Sequence, residues 1–366
     1  MKEILDDLDR WRRAGRAVAV ARVVDIEGSG PRDPGASMAV NDAGEVAGSV
    51  SGGCVEGAVV TEALDLLAAD DRRLVSFGYS DDEAFAVGLT CGGTVHLYIE
   101  PLDPVPTPVT ETLEAALRAN RPVALATVIE GPGVGAKLVV GPGFSPAGTL
   151  GDADLDRVVA RDALGELEAG TTIVRHYGGH GEARERTVSV FVESFAPPPR
   201  MLIFGAVDFT KALVRVAKVL GYHVTVCDAR EVFATRRRFP DADEIVVDWP
   251  HRLLEREGAG LGPRDAVCVL THDHKFDIPA IVAALATDVG YLGAMGSRRT
   301  HADRTERLRA EGVDEAGLAR ILAPIGLDLG GRTPEETAIS ICAEIIARRT
   351  GRQAPSLRDG GGAIHR

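Results

Sequence analysis

GSVSGGCVEG, residues 48–57, places Cys54 among glycines with two serines and a glutamate close by. A second cysteine, Cys91, stands in LTCGG beside Gly92. The thiolate is both the nucleophile and the soft metal ligand, and a helix N-terminus favours it over the thiol. Apolar residues at 55, 59, 63, 66 and 67 follow helical spacing, so a helix is expected to begin near Cys54 with Glu56 in its first turn. Gly52 and Gly53 let a ligand approach the backbone, and unpaired N–H groups at a helix start bind phosphate or oxyanions. GSGPRDPG, residues 28–35, adds Gly28, Ser29 and Arg32 on a loop stiffened by Pro31 and Pro34, with Arg32 as an anion grip. The plainer reading of the same residues is tight turns, a small inert cysteine and a solvated arginine.

A second set of polar residues lies further along. RMLIFGAVDFTKALVRVAKVLGYHVTVCDAR, 200–230, reads as strand, turn, helix and strand ending in an acid. Gly205 and Asp228 stand where a dinucleotide fold has its first glycine and its ribose-binding acid. Val207 and Thr210 replace the other two glycines, and Asp208 would repel a pyrophosphate. Binding of NAD or NADP is therefore expected to be weak or absent. Thr271, His272 and Asp273, in THDHKFD, follow the strand-like AVCVL and fall at a strand's carboxyl end, where open α/β sheets bind ligands. Their compact spacing matches no specific zinc pattern, and no metal site is assigned. Gly296, Ser297 and Arg298, in GAMGSRR, are expected to cradle an anion with backbone N–H groups and the Arg298 guanidinium.

The chain must supply elements that position these residues. Its 366 residues allow two or three domains. The apolar share of 45% and charged share of 26% are those of an ordinary globular protein. A net charge of −13 argues against nucleic acid or an anionic membrane as partner. MKEILDDLDRWRRAG is a charged helical pattern, not a secretory signal, and no apolar run approaches a membrane span, so a cytoplasmic protein is expected. Of the five cysteines, Cys227, Cys268 and Cys342 lie in apolar strand or helix patterns and read as core residues.

Residues 16–101 and 121–194 repeat one plan, read as strand, strand, helix, strand, strand. RAVAVARVV answers RPVALATVI, GASMAV answers GAKLVV, and TVHLYIE answers TVSVFVE, at shifts of 105 (121 − 16), 100 (135 − 35) and 93 (187 − 94). The first half holds extra residues within EGSGPRDPG and before TCGG, and carries Cys54 where the second has Asp154. A repeated core with unrepeated loops is the pattern of a site grafted on a scaffold. The expected organisation is an N-terminal α/β domain over 1–195, with the two halves about an approximate twofold axis. It continues with a linker at 196–199, a Rossmann-like domain with a doubly wound parallel sheet over 200–350, and a disordered tail over 351–366.

EGSGPRDPGASMAV, GSVSGGCVEGAV, FGYSDDEAFAVGLTCGG, LTHDHKFD, YLGAMGSRR and PIGLDLGGRTPEETAISICAEI together resemble the XdhC/CoxI family over nearly the whole chain. That resemblance implies a maturation factor for molybdenum hydroxylases such as xanthine dehydrogenase and carbon monoxide dehydrogenase. Such a factor holds the molybdenum cofactor, a molybdopterin, supports exchange of an oxo for a sulfido ligand, and delivers the product to an apo-hydroxylase. A sulfurtransferase and a second copy of the chain are the further partners expected. The rival function is an NAD(P)-dependent oxidoreductase using Cys54 or His272, which would need the nucleotide cradle that GAVDFT damages.

Overall fold

The computed structural model describes residues 1–28, 30, 32–78 and 93–359. Ser29, Cys91, Gly92 and the end of the tail lie outside the described residues. The chain forms two units that meet between Pro197 and Pro198.

In the first unit, α1 (Leu5–Arg13), β1 (Val18–Glu27), β2 (Ser37–Asn41), β3 (Val46–Gly48), α2 (Glu56–Ala69), β4 (Arg73–Phe77) and β5 (Thr94–Pro101) make one half. The other half is α3 (Pro108–Arg118), β6 (Val123–Glu130), β7 (Lys137–Val140), β8 (Ala147–Thr149), α4 (Ala153–Ala169), β9 (Ile173–Tyr177) and β10 (Val188–Phe195). The sheets have equivalent antiparallel orders, β3-β2-β1-β5-β4 and β8-β7-β6-β10-β9. Each half thus has a leading helix, of which the helical pattern of MKEILDDLDRWRRAG showed α1, and a third strand that the sequence pattern did not show, because strands of three residues are too short to display a period of two.

Val23, Leu97 and Val59 bury one face of the first sheet under α2, and Val128, Val190 and Val159 do the same under α4. The other faces meet through Val24, Tyr98, Ile129 and Phe191, which are two pairs of equivalent residues. The equivalence reaches the backbone. Gly48 and Gly148 both have positive φ, +80° and +95°, and a Cβ on them would overlap the carbonyl oxygens of Ser37 and Lys137, again equivalent positions. Across the halves, Gly35 abuts Thr172 and Gly135 abuts Arg72, a reciprocal pair of contacts that a twofold relation produces.

Four charged residues cross the same interface. Arg22 Nη1 donates to Glu100 Oε1 at 2.8 Å, and its Nε lies 3.5 Å from Glu193 Oε2. Lys137 Nζ donates to the second oxygen of Glu100 at 2.6 Å. Arg22, Glu100 and Glu193 are each 1% exposed.

The second unit contains β11 (Arg200–Phe204), α5 (Asp208–Val219), β12 (His223–Cys227), β13 (Glu244–Val246), α6 (Pro250–Glu257), β14 (Ala266–Val269) and α7 (His274–Leu285). It continues with β15 (Tyr291–Ala294), α8 (Arg298–Ala310), α9 (Glu315–Ala319), β16 (Ile321–Leu322) and α10 (Pro334–Arg349). The sheet is wholly parallel in the order β13-β12-β11-β14-β15-β16. Alternation along β14 divides the core: Ala266 and Cys268 face α5 and α10, whereas Val267 and Val269 face α6, α7 and α8. This is a doubly wound Rossmann-type sheet whose strand order reverses between β11 and β14. Cys227, Cys268 and Cys342 are buried, and burial pushes the thiols of Cys227 and Cys342 up to about 12. Among the described residues no helix is long and apolar enough to cross a membrane.

Because Gly48 and Gly148 occupy the same strained position, Gly48→Ala and Gly148→Ala should each destabilise the protein by about 1–3 kcal/mol in urea denaturation. A neutral result at either glycine would contradict the equivalence of the halves.

Candidate functional site

The loop between β3 and α2 is organised by one carboxylate. Glu56 is the first residue of α2, and its Oε1 accepts from Ser49 Oγ (2.7 Å) and Ser51 N–H (2.9 Å). Its Oε2 accepts from Ser51 Oγ (2.5 Å) and Gly53 N–H (2.8 Å). Ser49 Oγ accepts from Gly52 N–H, and Ser51 Oγ from the N–H groups of Cys54 and Val55. Every N–H from Ser51 to Val55 therefore has an acceptor inside the loop. The sequence suggested that these donors and Glu56 serve a ligand; the geometry assigns them to the loop itself. Partial burial opposes ionisation of Glu56, but the hydrogen bonds from Ser51 and Ser49 outweigh it and lower its pKa to about 2.

The second half uses the same device: Asp156 accepts from Thr149 Oγ1 (2.7 Å) and Leu150 N–H (2.6 Å). There Asp152 also caps the helix, accepting from Asp154 and Leu155 N–H, and α4 starts at Ala153. In the first half Gly52 and Gly53 occupy the equivalents of Asp152 and Ala153, and α2 starts only at Glu56. Cys54 thus lies just outside the helix and not in its first turn. Without a capping side chain the chain gives up its first helical turn.

That turn is replaced by an open surface. Gly52 and Gly53 have φ of +73° and +121°, and a Cβ built on either would meet nothing within 4 Å. Cys54 is half-buried beside them, against the apolar core that also receives Ile26, Ala36 and Phe77. Gly28, also at positive φ, is exposed, and Arg32 lies with its Nη2 3.5 Å from Glu3 Oε2. Ser29, Cys91 and Gly92 lie outside the described residues, and so does the expected convergence of Cys54 and Cys91.

In the second unit, Gly205, Asp228 and Thr271 come together at the carboxyl ends of β11, β12 and β14. A Cβ on Gly205 (φ +108°) would lie 2.8 Å from Thr271 Cγ2. Asp228 Oδ2 accepts from Ala206 N–H (2.8 Å) and Arg230 Nη2 (2.7 Å), and Oδ1 from Arg230 N–H and Nε. Both oxygens that would bind a ribose are taken. Thr210 donates its hydroxyl to Gly205 O and accepts from Val207 N–H at 3.4 Å. Arg238 bridges Ala206 O (3.0 Å) and Asp208 Oδ1 (3.6 Å), and the faces of Arg230 and Arg238 both lie over Phe233. The turn that cradles pyrophosphate in dinucleotide-binding folds here uses Ala206 and Val207 N–H internally.

His272 and Asp273 are exposed; Asp273 caps α7 by accepting from Lys275 N–H at 3.1 Å. Gly296 (φ +147°) precedes Ser297, which caps α8 by accepting from Thr300 N–H at 3.1 Å, and Arg298 is exposed. Sequence reasoning missed Asp277 and Arg304. Arg304 Nη2 donates to Asp277 Oδ2 and to Met295 O, each at 2.9 Å, and Thr271 Oγ1 donates to Asp277 Oδ1. Burial, working against the bonds from Thr271 and Arg304, raises the Asp277 pKa. The signal was a charge on each helix's inward stripe: Asp277 among Phe276, Ile278 and Ile281, and Arg304 one turn before Leu308.

These features define an α/β protein of two units, a duplicated antiparallel unit and a Rossmann-type unit whose nucleotide turn is closed. The model of the XdhC and CoxI family matches residues 11–78 and 116–178, and that of the XdhC Rossmann domain matches 201–345. The chain belongs to the XdhC/CoxI family. It is 28% identical to a probable xanthine dehydrogenase subunit of Bacillus subtilis over 93% of this chain and 96% of that one. It is 26% identical to the molybdenum cofactor insertion chaperone PaoD of Escherichia coli, over 92% and 85% respectively. A solved protein of Bacillus halodurans described as a xanthine dehydrogenase is 25% identical, with a TM-score of 0.65 over 97% of this chain and 98% of its own.

Two outcomes follow from the geometry. The depressed Glu56 pKa means that its carboxylate stabilises the loop above its ordinary 4.5 and that this contribution is lost as pH falls to about 2. The difference in melting temperature between the wild type and Glu56→Gln should be greatest above that range and close on acidification. A calorimetric titration with NADH or NADPH should show no saturable binding up to millimolar concentration, since Asp228 and the Ala206 and Val207 N–H groups are already bonded.

Proposed function

We propose that this protein is a molybdenum cofactor maturation chaperone: it holds the cofactor as cargo, supports its sulfuration, and delivers it to a molybdenum hydroxylase in the cytoplasm, with a sulfurtransferase as the sulfur source. The observation that carries the reading is the 51–56 loop, which departs from its counterpart at 151–156 in the second half: a forgone helical turn leaves Cys54 beside the open faces of Gly52 and Gly53. Soft sulfur suits molybdenum and its sulfido ligand, and side-chain-free backbone admits a flat, bulky group. Relatives over nearly the whole chain support the same role, since one is named an insertion chaperone and another is named as part of a xanthine dehydrogenase. The oxidoreductase alternative is not favoured, because the second unit's nucleotide turn is closed by Asp228, Thr210 and Arg238.

Cys54→Ser preserves size and polarity but removes the soft sulfur. Cofactor retained through purification, read by the fluorescence of its oxidised pterin, should fall at least about tenfold, and activation of an apo-hydroxylase should fall with it, at unchanged melting temperature. Cys91→Ser is the parallel test on the other cysteine of the first half's unrepeated stretches. Full retention and activation in both variants would show that the cysteines are turn residues.

A further inference from the structure

The layer between the two sheets of the first unit holds polar atoms that the chain itself does not satisfy. Glu193 is 1% exposed, yet neither of its oxygens accepts a hydrogen bond, and Arg22 Nε, 3.5 Å away, makes only an ion pair with it. Arg22 Nε, Tyr98 Oη and Thr127 Oγ1 are buried and likewise have no hydrogen-bond partner among the described residues. The four groups come from the central strands β1, β5, β6 and β10. Arg22 stands directly opposite Tyr98 in the β1–β5 pair. Thr127 stands opposite Phe191 in the β6–β10 pair, and Glu193 is two residues from Phe191 on the same face. The apolar cluster of Val24, Tyr98, Ile129 and Phe191 sets the two pairs face to face, so all four polar groups share one buried layer.

Buried polar groups of folded proteins are almost always paired, and ordered water completes those that the chain cannot reach. The atom types define the partner. Glu193 needs donors, Arg22 Nε needs an acceptor, and the two hydroxyls serve as either. A metal ion would leave Arg22 Nε unmet and stand beside a guanidinium, and an anion would face Glu193. Water donates and accepts at once. A cavity of about 40 Å³ reaches this layer, lined by Arg22 and Lys137 together with Leu5, Leu113 and Leu125, and Leu125 stands directly opposite Glu193 in the β6–β10 pair. That is room for about three water molecules. The duplication adds a sign of its own: the counterpart of Tyr98 is Phe191, so the Tyr98 hydroxyl is an addition to a position that a phenyl ring fills in the other half. We infer that ordered water bound between the sheets is a structural ligand of the first unit, hydrogen-bonded to Glu193, Arg22 Nε, Tyr98 Oη and Thr127 Oγ1. It completes what the ion pairs of Arg22, Glu100 and Lys137 leave open, and it ties strands of both halves. The inference does not depend on the cofactor reading, because it involves neither Cys54 nor the 51–56 loop.

A crystal structure of the full chain refined to about 1.5 Å should show ordered water within about 3.2 Å of the Glu193 carboxylate and of at least one of the other three groups. The sign of two substitutions gives an independent reading. Removing a buried hydroxyl that has no partner is neutral or stabilising, whereas removing one that holds a water breaks a hydrogen bond and leaves that water short of a partner. Tyr98→Phe, which installs the residue of the second half, and Thr127→Val, which keeps the shape of the side chain, should each lower the melting temperature by about 2–4 °C. A map without water at these atoms overturns the inference, and so do melting temperatures that stay level or rise in both variants.

Discussion

The first unit is held in register by one guanidinium. Arg22 is fully enclosed between the sheets, within reach of Glu100 from its own half and Glu193 from the other. Lys137 of the second half returns the contact by binding Glu100. An enclosed charge without partners is far more costly than an exposed one, so displacement of one sheet over the other would leave Arg22 or Glu193 stranded. The apolar contacts of Val24, Tyr98, Ile129 and Phe191 supply attraction with little direction; the charges supply the register. Glu100 and Glu193 are equivalent positions, whereas the equivalent of Arg22 is Thr127. Two arginines at the centre would repel; in their place the two acids are met by Arg22 from one half and Lys137 from the other.

With the scaffold fixed from both halves, one half is free to depart at its loops. The departure at 51–56 is small in atoms and large in effect. Glu56 and Asp156 both gather a preceding hydroxyl and backbone N–H, so the turn into the helix keeps one form in both halves. What changes is the cap: Asp152 starts α4 early, whereas Gly52 cannot cap, and the chain passes through positive φ at Gly52 and Gly53 before α2 starts at Glu56. The glycines serve mainly to permit that path, and the open space above them is its consequence.

Much of this was legible because it rests on periodicity. The duplication, the helices under each sheet and the parallel strands of the second unit all leave patterns of two, of three to four, or of about one hundred residues. The use of the loop's hydrogen bonds was harder to read, since it depends on which acceptor a backbone N–H meets. One sign was nevertheless present: Ser49 and Glu56 recur as Thr149 and Asp156 at the same spacing in the half that lacks the cysteine. A residue shared by both halves belongs to the scaffold, and Glu56 fails that test of a site residue. Arg32 was read from type and loop position alone, which say nothing of Glu3 from a distant element. Asp228 was placed at its strand end from the sequence, but its engagement by Arg230 and Ala206 is tertiary.

The second unit shows how a nucleotide fold can keep its frame and close its site. On the β11–β12 side, Asp228, Thr210 and Arg238 satisfy the groups that a dinucleotide would need, and the Arg230 and Arg238 guanidinium groups lie 4.6 and 5.3 Å from the Phe233 ring centre. On the β14–β15 side, the buried Thr271–Asp277–Arg304 chain ties two strand ends to two helices, and Met295 O completes it. Thr271 also contacts Gly205, so the two sides are joined at the point where the strand order reverses. A crevice whose polar groups are already bonded to each other gains little from a ligand and resists deformation instead.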